Sequence, residues 1–197
     1  SSLFENENYR NGVLSQVLYV GAQIMCWTYI YQYAEAIGIS SQDAANYQFI
    51  CFIVFLVGRA IGTYLLRFVN AGKLLFQFAI MAGICVLGTV FIKGIVGLYA
   101  LVAISFFMSL MFPTIYGIAL EDLDEKESKI GAAGLVMAIV GGALMPKLQG
   151  MIIDLGGSGV ADTTIMGVSE VNFSFLLPFL CFIFIAFYGK KVFNQKK

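Results

Sequence analysis

Two carboxamides and three large aromatic rings with polar edges share one side of an uncharged apolar stretch, Ser15 to Tyr33 (SQVLYVGAQIMCWTYIYQY). A helix turns about 100° per residue. With Gln16 at zero, Gln23, Trp27 and Tyr31 fall within about 60° of it, and Tyr19 sits about 60° to the other side. An unpaired amide is costly in hydrocarbon, so this side must look into protein or water. Amides pair with hydroxyls, and aromatic planes stack on the apolar C–H face of a sugar, so one reading is a sugar cavity. The other is a helix–helix seam glued by glutamine and filled by rings. The stretch alone leaves both open.

A second polar-aromatic row lies further along. Ser105, Ser109, Phe112 and Tyr116 recur at i, i+4, i+7 and i+11, within an arc of about 60°. The serines could instead bond their own i−4 carbonyls. Tyr116 suits a cavity wall or gate. Arg59 lies in another apolar stretch with Gly58 and Gly62, roughly two turns before Arg67. An intramembrane arginine is a functional candidate by default. It could also snorkel, or pair with Glu121 or Asp122 as a latch, so these three residues are the gating or coupling candidates. Histidine is absent. No nucleophile–base pair and no metal-ligand spacing falls at membrane depth, so no catalytic residue, metal or cofactor is expected. Cys26, Cys51, Cys85 and Cys181 read as small buried hydrophobes.

These rows need long apolar elements to carry them. The chain is 59% hydrophobic and 12% charged, with a mean hydropathy of +0.84. Soluble domains carry about 25% charged residues, so this is an integral membrane protein. Net charge is zero, which argues against a nucleic-acid partner. The polar start is not a signal peptide, and Ser1-Ser2 without methionine suggests a processed or cut chain. A span needs about 20 apolar residues. Six fit within a transmembrane domain over 12–193, at 12–36, 44–68, 74–92, 95–120, 130–153 and 171–188. A polar segment (1–11) precedes them and a basic tail (189–197) follows. Pro113 should kink the fourth span. In the fifth, Gly131, Gly134, Ala138, Gly141, Gly142 and Met145 make a stripe of small residues suited to close helix packing. Gln149 continues that stripe, and Lys147 can snorkel outward.

Arg10, Arg67, Lys73, Lys126, Lys129, Lys190, Lys191, Lys196 and Lys197 fall on the side that holds both termini, against Lys93 and Lys147 on the other. The termini are therefore expected to be cytoplasmic. Spans one to three and four to six start from opposite sides. They form an inverted 3+3 repeat that pairs the Gln23 span with the Tyr116 span.

The stretches YVGAQIMCWTYIYQYAE, GRAIGTYLLRFVNAGK, GGALMPKLQGMIID and FSFLLPFLCFIFIAFYG resemble, in order and spacing, the fucose–proton symporter family of the major facilitator superfamily. The resemblance is to its carboxyl-terminal six-helix half. It implies an all-α membrane fold, alternating access, and a sugar (L-fucose or a related hexose) and a proton as substrates. Tyr19, Gly21, Gln23 and Trp27 match the cavity-facing segment of the family's seventh helix. Glutamine at position 23 looks like the fucose branch; hexose-transporting relatives tend to an acid there. Gly62 to Arg67 with Gly72-Lys73 resemble a degenerate copy of the superfamily's cytoplasmic loop motif, with Leu66 where the motif has aspartate. Gly141-Gly142, Pro146 and Asp154 match the eleventh helix. The proton-carrying carboxylates of the family belong to the amino-terminal half, the partner this reading requires in a bacterial inner membrane. Substrate contacts are expected from Tyr19, Gln23, Trp27, Tyr31, Ser109, Phe112 and Tyr116. The isolated chain is expected to self-associate, and a self-sufficient six-helix channel or small transporter is the alternative.

Overall fold

The structure is a computed structural model that describes residues 2–195. Ser1 and the basic tail residues Lys196 and Lys197, expected on the cytoplasmic side, lie outside the described residues. Six helical spans are long and apolar enough to cross a membrane: Glu7–Ala36, Ser41–Leu65, Ala71–Phe91, Ile95–Leu120, Glu125–Gly156 and Glu170–Gln195.

Polar caps set where the spans begin. The side chains of Asn6, Ser40, Asn70 and Asp124 accept hydrogen bonds from the backbone N–H groups of Tyr9, Asp43, Gly72 and Glu127. Such caps satisfy N–H groups that the helix itself leaves orphaned. Caps at Asn6 and Asp124 start spans one and five ahead of the Gly12 and Ile130 boundaries read from hydropathy. A charged first turn is invisible to a hydropathy window but stable outside the bilayer. Glycines in the left-handed region, Gly38 (φ 80°) and Gly94 (φ 79°), turn the chain between spans.

Four spans are broken. The first is α1 (Glu7–Thr28) and α2 (Ile30–Ala36); the second and third are α3 (Ser41–Leu65) and α4 (Ala71–Phe91). The fourth is α5 (Ile95–Met108) and α6 (Met111–Leu120), parted at Ser109-Leu110. Pro113 lacks the N–H that would bond the Ser109 carbonyl, so the predicted kink falls one turn before it. The fifth is α7 (Glu125–Met137) and α8 (Gly141–Ile153), joined by a 3₁₀ turn at Ala138–Val140. A hairpin, β1 (Thr164–Ile165) with β2 (Val168–Ser169), precedes the sixth span, which is α9 (Glu170–Ser174) and α10 (Leu176–Gln195). Its break at Phe175 follows from Pro178 in the same way.

The packing repeats under exchange of the two triplets. Span one packs on spans five and six; its counterpart, span four, packs on spans two and three. Spans one and four meet each other, as do three and six. This is the contact pattern of an inverted repeat, the 3+3 unit of major facilitator halves.

The stripe on span five lets it approach span one closely. A Cβ on Gly141 would lie 2.1 Å from the Val17 carbonyl oxygen, and one on Gly142 would lie 3.1 Å from Val20 and Ile24. The symmetry-related seam uses Gly58, where a Cβ would lie 2.6 Å from the Phe106 carbonyl oxygen of α5. Lipid offers no hydrophobic drive between helices, so such close contact is what joins them. Asn172 ties span six to span three: its Nδ2 donates to the Thr89 and Val90 carbonyls at 3.1 and 3.3 Å, orphans of the α4 C-terminus. Spans two and five are the least covered.

Candidate functional site

The residues singled out on spans one and four come together only in part. Gln23 is half-buried, and among the described residues its amide has no hydrogen-bond partner. One turn on, Trp27 is held from three directions. Its Nε1 donates to Ser105 Oγ at 3.1 Å, and its ring meets Phe52 and Phe55 edge-on at 5.0 and 5.2 Å. The indole plane is thus fixed by spans two and four. On the other side of Gln23, Tyr19 is buried against Phe112 (6.2 Å, edge-on), and Phe112 stacks on Tyr116 (6.5 Å, 13°). Three of the expected rings therefore form one run across the span one–span four seam. Phe112 and Tyr116 are half-buried.

Two residues lie elsewhere. Ser109 is fully buried and donates to the Phe106 carbonyl at 2.6 Å, where Gly58 packs against its hydroxyl. It faces the span two seam, because the helix break at Ser109-Leu110 rotates it off the row that ideal periodicity gave. Tyr31 is exposed, on α2, above the break at Tyr29. That break has no proline or glycine. The Tyr29 hydroxyl donates to the Pro146 carbonyl at 2.7 Å and packs on Gly150, which pins α2 to span five. Beside it a cleft of about 380 Å³ is lined by Tyr29, Gln32, Glu35, Gly150, Asp154 and Ser158.

Arg59 is exposed and sits over the Phe55 ring, 5.6 Å from its centroid. Phe55 in turn touches Trp27, so the guanidinium reaches the Trp27 site through one ring. Asp122 accepts from Asn8 Nδ2 at 3.4 Å, and Glu121 caps the C-terminus of α6.

The contacts that tie the termini-bearing ends of the spans come from residues outside the polar-aromatic rows. Asn8 Nδ2 donates to the Ile118 carbonyl (3.0 Å), and the Tyr188 hydroxyl donates to Asn8 Oδ1 (3.1 Å). The Tyr9 hydroxyl donates to the Gly131 carbonyl (3.0 Å), and Glu7 pairs with Lys191. Spans one, four, five and six are joined there. One signal was available: Tyr9, Gly12, Gln16 and Tyr19 continue the face of span one backward at helical spacing. Among the described residues, no group of three or more His, Cys, Asp and Glu side chains could hold a metal ion.

Six helices in an inverted 3+3 repeat, with polar and aromatic groups gathered where the two first helices meet, define half of a major facilitator transporter. Comparisons with known proteins agree. The chain is 53% identical over 189 residues to the L-fucose–proton symporter of Haemophilus influenzae, covering 96% of this chain and 42% of that protein. It is 33% identical over 192 residues to the L-fucose–proton symporter of Escherichia coli and 34% identical over 187 residues to the glucose/galactose transporter of Brucella abortus. A crystal structure of the Escherichia coli fucose–proton symporter superposes with a TM-score of 0.86 at 32% identity, over 98% of this chain and 44% of that one. A second, of the transporter FucP in the outward conformation, gives 0.83 at 32% identity, over 94% and 42%. No known family's sequence profile matches. The chain spans under half the length of the curated relatives it matches. It belongs to the fucose–proton symporter family of the major facilitator superfamily, and corresponds to the carboxyl-terminal half.

Proposed function

We propose that this chain is the sugar-contacting half of a sugar–proton symporter that works by alternating access, with L-fucose or a related hexose as substrate. The observation that carries this reading is Gln23: a half-buried amide without a hydrogen-bond partner among the described residues, between the fixed plane of Trp27 and the ring run of Tyr19, Phe112 and Tyr116. Gln23 bonds sugar hydroxyls and Trp27 stacks on the ring. Tyr31 contacts the sugar nearer the outer mouth, and the Tyr19–Phe112–Tyr116 run closes the path beneath it. Ser109 contributes at the hinge of span four. Arg59 couples span two to Trp27 through Phe55, while Asp122, with Glu121, holds the termini-bearing end closed through Asn8. Protons are carried by carboxylates of an amino-terminal six-helix half, which docks over spans two and five. The complex lies in a bacterial inner membrane with both termini cytoplasmic, as the excess of Lys and Arg on that side supports. It is a transporter, not an enzyme. Without its partner half the chain self-associates through the face that carries Gln23.

Uptake assays in cells lacking sugar transport test this. The chain alone should give no proton-coupled uptake of L-fucose, and co-expression with the matching amino-terminal half should restore it. Uptake by the chain alone would instead favour a self-sufficient six-helix transporter.

A further inference from the structure

Gln16 is fully buried, and among the described residues neither Oε1 nor Nε2 has a hydrogen-bond partner; the neighbouring Ser15 hydroxyl is in the same condition. Packed interiors rarely leave an amide so. Its surroundings explain why this one is tolerated. On α1, Gly12 lies one turn before it, against Ala119 of α6, and Tyr19 lies three residues after it, against Phe112 of α6. On its other flank, Val17 and Val20 meet Gly141 and Gly142. Gln16 therefore sits in a wedge closed by α6 on one side and the start of α8 on the other. It shares the helix face of Gln23, about 10 Å further toward the termini-bearing end, past Tyr19.

The wedge has a hinge at one end: α6 is parted from α5 at Ser109-Leu110. Its far end packs through Ala119 on Gly12, and Asn8 ties it through the Ile118 carbonyl and Asp122.

We propose that Gln16 is a second, inner contact for the hydroxyls of a monosaccharide, reached when α6 swings away from α1. This rests on reading the chain as a sugar-transporting half. With the wedge closed, the amide is shut in without partners. With it open, sugar hydroxyls or water supply them, so opening relieves the unpaired amide and gives the sugar a handhold beyond Tyr19. Gln23 then receives the sugar from one face of the membrane, and Gln16 holds it on its way to or from the other.

The test uses the whole transporter that contains this half, in proteoliposomes of known orientation, with L-fucose as the probe. Gln16→Leu keeps the volume and removes the amide. The expected result is a KM raised about tenfold for sugar offered on the termini-bearing side, with KM on the opposite side unchanged and Gln16→Asn recovering part of the loss. Unchanged KM on both sides, or an equal rise on both, would overturn the inner contact. If Gln16→Leu does not fold, Gln16→Cys is probed with a small membrane-impermeant thiol reagent. Labelling from the termini-bearing side, slowed by L-fucose, is expected; no labelling would overturn the proposal. An unsubstituted transporter that carries no sugar would instead overturn the parent reading.

Discussion

The two flanks of span one are built on opposite principles. Toward span five, the contact is glycine against backbone, with Gly141 so close to the Val17 carbonyl that no side chain fits. Toward span four, beyond one close contact of Gly12 with Ala119, rings meet rings, and the amides of Gln16 and Gln23 set among them have no hydrogen-bond partner among the described residues. The first flank is rigid and needs nothing from outside. The second is incomplete, since neither Gln16 nor Gln23 has a hydrogen-bond partner among the described residues. The difference separates residues that hold a membrane protein together from residues that serve a polar guest. Small residues at a seam stabilise by close approach. A polar group left unsatisfied costs stability and persists for another reason.

Substitutions can break or sharpen this contrast. The largest stability effect is expected on the rigid flank. Gly141→Leu should cost at least about 3 kcal/mol, enough to abolish monodisperse folded protein in size-exclusion chromatography. Its symmetry mate, Gly58→Leu, should behave alike, and a tolerant Gly58 would undo the two-fold equivalence of the seams. Asn172→Ala, which strands the Thr89 and Val90 carbonyls, should cost about 2 kcal/mol in thermal unfolding and leave sugar affinity alone. Ser105→Ala stands between the two classes. It should cost about 1 kcal/mol and weaken sugar binding severalfold, because Trp27 loses the acceptor that fixes its plane. Ser109→Ala should change stability by under about 1 kcal/mol and affinity not at all, since its hydroxyl serves only the Phe106 carbonyl. A large affinity loss there would return Ser109 to the cavity.

Much of this was legible in the sequence. Apolar length marked six spans, Pro113 marked the kink in span four, and the small residues of span five marked a seam. The inverted triplets followed from span order, and the contact pattern bears them out. Other features were not legible, for physical reasons. Periodicity gives the angle of a residue on an ideal helix but not the neighbour it meets. Ser109 therefore looked like a cavity residue, until a break in its own helix turned it to Gly58. Gln16 shared the face of Gln23 yet lies sealed beneath Tyr19, because burial depends on the neighbouring spans. The break at Tyr29 carries no helix breaker; a hydrogen bond to Pro146, far away in sequence, fixes it. Asn8 and Tyr9 lay before the apolar run, and their partners are more than a hundred residues away.

The central claim is that span one offers its amides to a sugar, and Gln23 tests it most directly. Thermal unfolding of the whole transporter would be followed across an L-fucose titration, for the unsubstituted protein and for Gln23→Ala. Without sugar, the substitution should shift the midpoint by no more than about 1 °C, because the amide has no protein partner to lose. With sugar, the concentration needed for stabilisation should rise about tenfold, the loss expected for one good hydrogen bond to a ligand. A clear drop in the sugar-free midpoint with the sugar dependence unchanged would contradict it, and would place Gln23 with the seams.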